Sequence, residues 1–219
     1  MGEKGMIFTG ESVGAILGDR KTQTRRTVNG QSRAWEFLGL ERYQIKTKTD
    51  KNGAEWPKEL LGLYASFYHT AEGFHTLAKS PHDVGDTVYV KEAWRKIPPG
   101  FPVYEYRADG HPESCIPWRS PMHMPREAAR VWLRITDVRV ERLRDISEGD
   151  AIAEGCEKIR RVGDGTVAAF ARNGFAALWD EINGKRGGCS WEDNPWVWCF
   201  AFEHLPDCRR EGGGSDGQK

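Results

Sequence analysis

Residues 20–26 read RKTQTRR: four cations, two threonines and no carboxylate. A run like this is ordinarily a solvated strand with interleaved cations, and composition alone favours that reading. The sharper reading is a phosphate or nucleotide site built from Arg20, Arg25 and Arg26, with chemistry at Lys21 and Thr24. A threonine hydroxyl is a weak nucleophile and needs a base beside it. A lysine serves as that base only if desolvation or neighbouring cations lower its pKa. In a regular strand, residues three apart point to opposite faces. Lys21 and Thr24 therefore cooperate only if the chain bends between them.

Other residues compete for chemical roles. Glu154 falls at the end of a short helix predicted over 147–154, where the helix dipole disfavours a carboxylate. Left exposed, it is a surface acid; buried, it would have the raised pKa that suits a general acid. Glu92 in VKEAW and Asp86 in a Gly-Asp turn are rival acids, readable also as a strand-edge charge and a turn residue. Trp94, Tyr104 and Trp118 sit among basic residues and could stack on a nucleobase, or serve as core at strand ends. HPE at 111–113 matches only the first half of the zinc-deaminase signature, since Cys115 stands alone. The histidines show no metal-ligand spacing, so no metal is expected. No phosphate-binding glycine loop, dinucleotide fingerprint or serine-hydrolase elbow occurs. Five widely spaced cysteines without a CxxC pair read as reduced thiols.

These residues must be held by a chain of 219 residues, enough for one domain with its own core. With 32 basic and 32 acidic residues the net charge is zero, which argues against binding nucleic acid by charge alone but allows a local basic cleft. Cations gather at 20–26, acids between Glu141 and Glu157. No apolar run is long enough to span a bilayer, and the start lacks a secretion signal and, with Met6, the myristoylation pattern, so a cytoplasmic location is expected.

MIFTG reads as a strand, and ESVGAILGD as a brief helix capped by Thr9 and stopped by Gly18. KTQTRRTV reads as a strand or its bent start. Between about 30 and 80 the periodicity weakens, and this stretch is expected to be a partly structured insertion holding Tyr64, Phe67 and Tyr68. TVYVK and VYEYRA read as strands. In ARVWLRITDVRVERL, Val131, Leu133 and Ile135 share one parity while Val138 and Val140 have the other, which predicts a bulge near Thr136-Asp137. Ser147 caps the next helix, with Ile146 as its staple and Gly155 its stop. The longest helix, within TVAAFARNGFAALWDEING, shows a stripe of Val167, Phe170, Ala171, Gly174, Leu178 and Ile182. PWVWCFAFEHL closes as an alternating strand, and 209–219 should be a disordered tail. Short strands with helices between them predict an α+β, barrel-like sheet.

GDRKTQTRR, GDTVYVKEAW, HMPREAARVWLRITDVRVERLRDISEGDAIAEG, FAALWDEING and WEDNPWVWCFAFE together resemble ASCH-domain proteins of the bacteriophage and prophage type. The resemblance spans most of residues 6–204 and is weakest over 30–80. It implies a PUA-like, mostly antiparallel β-barrel with flanking short helices, a single domain over 1–208, and a cleft for RNA or a modified nucleoside. Small bacterial relatives similar at KTxT are amidohydrolases that deacetylate N4-acetylcytidine. Their catalytic residues correspond to Lys21 as base, Thr24 as nucleophile and Glu154 as proton shuttle, without metal or cofactor. Arg20, Arg25, Arg26, Glu92, Trp94 and Trp118 would then contact substrate or nucleic acid. The chain is about twice as long as those enzymes, and its double arginine after Thr24 has no counterpart in them. Two rivals stay open: a non-catalytic RNA-binding module, and a metal-dependent ribonuclease using Glu92 and Glu154.

Overall fold

Short β-branched and aromatic runs between turn residues become short strands throughout the chain. The computed structural model describes residues 3–31, 33–45, 60–99, 103–111, 115–156, 159–160, 168–169 and 171–205. In order these form β1 (Lys4–Ile7), α1 (Gly10–Leu17), β2 (Gln23–Thr27), β3 (Trp35–Ile45), β4 (Leu60–His69), β5 (Phe74–Lys79), β6 (Thr87–Lys91), β7 (Trp94–Lys96) and β8 (Tyr104–Tyr106). There follow β9 (Trp132–Arg142), α2 (Glu148–Ala153), β10 (Ile159–Arg160), β11 (Ala168–Ala169), α3 (Ala171–Asn183) and β12 (Trp196–Leu205). The predicted tail at 209–219 and most of the HPE motif lie outside the described residues.

The main sheet has the order β1-β6-β9-β12-β2. Only β1–β6 is parallel; the other ladders are antiparallel. Its spine is the β9–β12 pair, whose register slips once: Asp137 faces Ala201 and Ile135 faces Phe202, leaving Thr136 unmatched. That is the predicted bulge. It turns both Ile135 and Val138 into the core despite their opposite parity. β12 is buried on both faces. Trp198, Phe200 and Phe202 join the main core with Met6, Phe8, Val90 and Leu133. Val197 and Cys199 face a second core formed by Ile146, Ala151, Phe175 and Trp179. Each fully buried Phe or Leu contributes about 1.5–3 kcal/mol.

The described strands form open sheets, not the closed barrel expected. β1 and β2 are the free edges of the main sheet. They are joined by a side chain: Arg26 Nη2 donates to Ile7 O at 2.7 Å. The architecture is α+β with mostly antiparallel sheets and few helices.

Two elements differ from expectation. The stretch expected to be a partly structured insertion holds, over its described residues, the regular antiparallel meander β3–β4–β5. Its alternation is hidden because Leu38 is skipped in the register between Phe37 and Gly39 and is half exposed. Phe67 is fully buried, against Trp35, Phe37 and Trp196. In α3 the buried face is Ala171, Phe175 and Trp179, of which the expected stripe held only Ala171; Val167 and Phe170 of that stripe lie outside the described residues. The bulkier aromatic seam takes the core, and Leu178 and Ile182 are left for a cleft described below. Among the described residues no helix is long and apolar enough to cross a membrane.

Candidate functional site

The bend that Lys21 and Thr24 require is built by the end of α1. Thr9 caps the helix, its Oγ1 accepting from Ser12 N at 3.2 Å, and Gly18 ends it. The next turn passes through Asp19 at φ 54°. Arg20 N and Lys21 N then both donate to Ala15 O, at 2.8 and 3.1 Å. Lys21 forms an isolated antiparallel bridge with Glu154 before β2 begins. Thr22 N donates to Ala153 O and Thr22 O accepts from Phe202 N, each at 2.8 Å. So Lys21 lies before the regular pleat, and the three-residue objection lapses: Lys21 and Thr24 line one cleft, each nearly buried.

Glu154 arrives from the other side. Ser147 caps α2, its Oγ accepting from Asp150 N at 3.0 Å, and Glu154 is the C-cap. Gly155 takes φ +91°, and a Cβ there would come within 3.1 Å of Ala15 Cβ and 3.3 Å of Lys21 Cβ. Glycine is thus required by both conformation and space. Glu154 is not the exposed helix-end acid of the simpler reading; it is buried. Lys21 Nζ donates to its Oε2 at 2.5 Å and to its backbone O at 2.7 Å. The ammonium thereby neutralises the carboxylate and caps a helix C-terminus, where the dipole favours a cation. Burial pushes the Lys21 pKa below its usual value, with the Glu154 carboxylate opposing that shift.

Arg25 is a brace behind the pair. Its side chain is fully buried. It donates from Nη1 to Glu154 Oε1 at 3.1 Å, and from Nε and Nη2 to Glu141 Oε1 at 2.9 and 2.6 Å. Asp150 Oδ2 is 3.6 Å away, and Arg139 binds the far sides of Glu141 and Asp150. The acids gathered between 141 and 157 in the sequence therefore meet the cations of 20–26 in space. Cys199, beside this network, has its thiol pKa raised, chiefly by burial, and is inert.

Arg26 contacts the proposed nucleophile. Its Nη1 donates to Thr24 Oγ1 at 2.9 Å and to Arg25 O at 3.0 Å, and the guanidinium lies 5.1 Å over the Phe8 ring. A cation donating to a hydroxyl oxygen stabilises the alkoxide that oxygen would become.

Around these groups lies a cleft of about 670 Å³, between β1, β2 and the Leu178–Ile182 face of α3. That is within the usual 300–1,000 Å³ of small-molecule sites. Asn29, His82, Asn183 and Arg186 add polar lining that the sequence reading missed. The only signal for this wall was the Leu178/Ile182 half of the helical stripe. Burial pushes the His82 pKa down to about 4, with Lys4 and Arg26 adding to the shift and Asp86 opposing it. Arg20 lines an adjoining compartment with Glu11, Arg107 and Glu181.

The remaining sequence candidates lie elsewhere. Glu92 is almost wholly buried in a bidentate pair with Arg130, at 2.9 and 3.0 Å, and burial raises its pKa against the pull of that arginine. It does not line the cleft. Trp94 is a core residue packed with Tyr106 and Met124, with the Arg119 guanidinium 5.2 Å from its ring centre. Trp118 carries the Arg95 guanidinium at 4.1 Å. Cations thus already lie against both indoles, and neither ring lines the Lys21 cleft. Asp86 is a turn residue whose Oδ2 accepts from Asp83 N at 2.9 Å. Among the described residues no three His, Cys, Asp or Glu side chains converge as metal ligands. Glu92 and Glu154, paired in the ribonuclease reading, are bound to different cations.

The fold and cleft define an α+β protein of mostly antiparallel sheets with a cationic pocket at the seam between two sheet edges. No protein-family model matches the chain, and no curated protein matches it. It is similar to protein EF3133 from Enterococcus faecalis V583, of family-model DUF984, at 10% identity and a TM-score of 0.43, over 98% of this chain and 88% of that one. A similarity of that extent carries no argument about function.

Proposed function

We propose that the chain is an ASCH-like amidohydrolase with a PUA-related sheet, removing the acyl group from N4-acetylcytidine. The observation that carries this reading is the meeting of Lys21, Thr24 and Glu154 in one cleft, with Lys21 Nζ 2.5 Å from Glu154 Oε2. The seam closed by Arg26 is what supports the relation to a barrel.

In the resting site Lys21 is an ammonium and no base. The short contact gives its proton a path to Glu154, and burial favours that neutral pair. The free amine then takes the Thr24 hydroxyl proton while Oγ1 attacks the acetyl carbonyl carbon, with Arg26 stabilising the developing alkoxide. Protonated Glu154 gives its proton to N4 as the C–N bond breaks. Cytidine leaves and acetyl-Thr24 remains. Glu154, again a carboxylate, takes a proton from water; hydroxide adds to the ester, and the Thr24 oxygen leaves with the Lys21 proton. Acetic acid is released and ionises to acetate in water, and the proton on Glu154 returns to Lys21, which restores the resting ammonium and carboxylate.

One observation favours the competing non-catalytic RNA- or nucleoside-binding module: Lys21 and Glu154 neutralise each other and both are buried. Incubation with N4-acetylcytidine, read as cytidine release, decides between them. Wild type should release cytidine and Thr24→Ala should not. Equal release, or none from either, removes the hydrolase; salt-sensitive RNA binding in the second case supports the module.

A further inference from the structure

The cleft holds two cations that form no ion pair with a carboxylate among the described residues. Of its charged lining, Lys21 is bound to Glu154, and Arg25 to Glu154 and Glu141. Among the described residues Arg26 instead binds only neutral oxygens, those of Thr24, Arg25 and Ile7. These three bonds leave two of its five guanidinium N–H groups without an acceptor among the described residues. Arg186, just past the end of α3, lines the same cleft with an exposed side chain and has no carboxylate partner among the described residues. Glu154 is the one carboxylate on the cleft's lining among the described residues, and Glu11 and Glu181 line the adjoining compartment with Arg20 and Arg107.

A lone arginine after a helix is ordinarily a solvated complement to the dipole. Two guanidiniums without a direct carboxylate contact on one cleft are different, because each raises the cost of the other. Burial is the main influence lowering the Arg26 pKa; Glu154 opposes it, and the Arg186 charge adds to the lowering. In a chain whose charges balance overall, such a pair is stabilised by an anion placed between them.

We propose that the cleft takes a phosphorylated substrate, a cytidine nucleotide in place of the free nucleoside, with its phosphate held between Arg26 and Arg186. The cytidine half of this assignment rests on the amidohydrolase reading; the anion half rests on the two arginines. The phosphate is planar-fork compatible with a guanidinium, and the neutral Asn29, His82 and Asn183 are left to meet ribose and base edges.

The test separates binding from turnover. Calorimetric titration of the full chain at low salt compares cytidine with cytidine 5′-monophosphate, neither of which has a bond to cleave. The nucleotide should bind at least about tenfold tighter, the factor one charge-assisted contact supplies, and Arg186→Gln should bring the two within about twofold. In parallel, N4-acetylcytidine, its 5′-monophosphate and a dinucleotide carrying the same base are compared by kcat/KM. Preference for the monophosphate identifies a terminal phosphate as the ligand, and preference for the dinucleotide a bridging one. Equal affinities for cytidine and the monophosphate, no measurable nucleotide binding, or a ratio unmoved by Arg186→Gln overturns the phosphate site. Cleavage of N4-acetylcytidine with equal affinities would remove the phosphate site and keep the hydrolase. No cleavage with a preserved, Arg186-dependent ratio would do the reverse.

Discussion

Glu154→Gln tests the centre of the site through stability alone. The Lys21 and Glu154 side chains are 4% and 5% exposed, so water cannot replace a lost partner. Glutamine keeps an oxygen for Arg25 but turns an amide N–H₂ toward Lys21 Nζ, where Oε2 had accepted at 2.5 Å. Breaking a buried pair by removing one partner costs about 3–5 kcal/mol. A second limit is independent of that figure. The stranded ammonium can release its proton, and from an ordinary pKa of about 10.4 this costs about 4.6 kcal/mol at pH 7, at about 1.36 kcal/mol per unit. The two limits agree, so a loss of about 3–5 kcal/mol is expected. The pH dependence follows. In the variant the folded-state pKa of Lys21 falls well below its unfolded value, so between the two the unfolded chain binds the extra proton and stability rises with pH. Wild-type Lys21 is lowered too, but Glu154 opposes the shift, so its own dependence begins at higher pH. The gap between variant and wild type should therefore shrink from pH 7 to pH 9, by up to about 1.4 kcal/mol per unit. Urea denaturation at three pH values measures it, with Lys21→Met/Glu154→Leu as the control that removes both charges and should cost less than Glu154→Gln. A loss under about 1 kcal/mol at pH 7 with no pH dependence would refute the buried pair.

Arg25→Met should cost about 3–5 kcal/mol in urea denaturation, since Glu141 and Glu154 both lose a donor, and Arg25→Lys should recover only part because an ammonium cannot span both carboxylates. His82, neutral when folded with a pKa near 4 against about 6.5 unfolded, contributes stability that is whole above pH 6.5 and is lost as pH falls toward 4. The loss amounts to about 3 kcal/mol, and His82→Gln should flatten that limb of the stability curve. Deleting Thr136 removes the residue that lets Ile135 and Val138 both face the core, so the variant should fail to give a cooperative thermal transition.

Local chemistry was readable where one residue decides the outcome. Thr9 and Ser147 cap their helices because only a side-chain oxygen satisfies the first free amides, and the Thr136 bulge follows from parity. The meander over the middle of the chain was hidden because a skipped Leu38 breaks the alternation that marks a strand. In α3, two seams share the helical period, Phe175–Trp179 and Gly174–Leu178–Ile182, with Ala171 beside both, and only tertiary packing selects between them. The Lys21–Glu154 pair spans 133 positions, so nothing local announces it and family resemblance supplied it. The arginines beside Trp94 and Trp118 were visible as neighbours, but each lies against the other segment's ring, Arg119 on Trp94 and Arg95 on Trp118, which depends on the backbone bridge between Trp94 and Arg119.

The site lies where the main sheet ends on both sides. An edge strand leaves a row of backbone groups that must be paired or covered. At β1 the cover is Arg26, whose guanidinium reaches Ile7 O from β2. At the entry to β2 it is the bridge from Lys21 to Glu154 and the Thr22 bond to Ala153. A continuous backbone ladder between β1 and β2 would need neither contact and would fill the seam. Leaving it open places a lysine, an arginine, a hydroxyl and a carboxylate where backbone pairing would otherwise run, walled by the apolar face of α3. The charges that cover the edges are therefore the same charges that face the cleft, and the bend that takes Lys21 out of the pleat is what lets it share that cleft with Thr24.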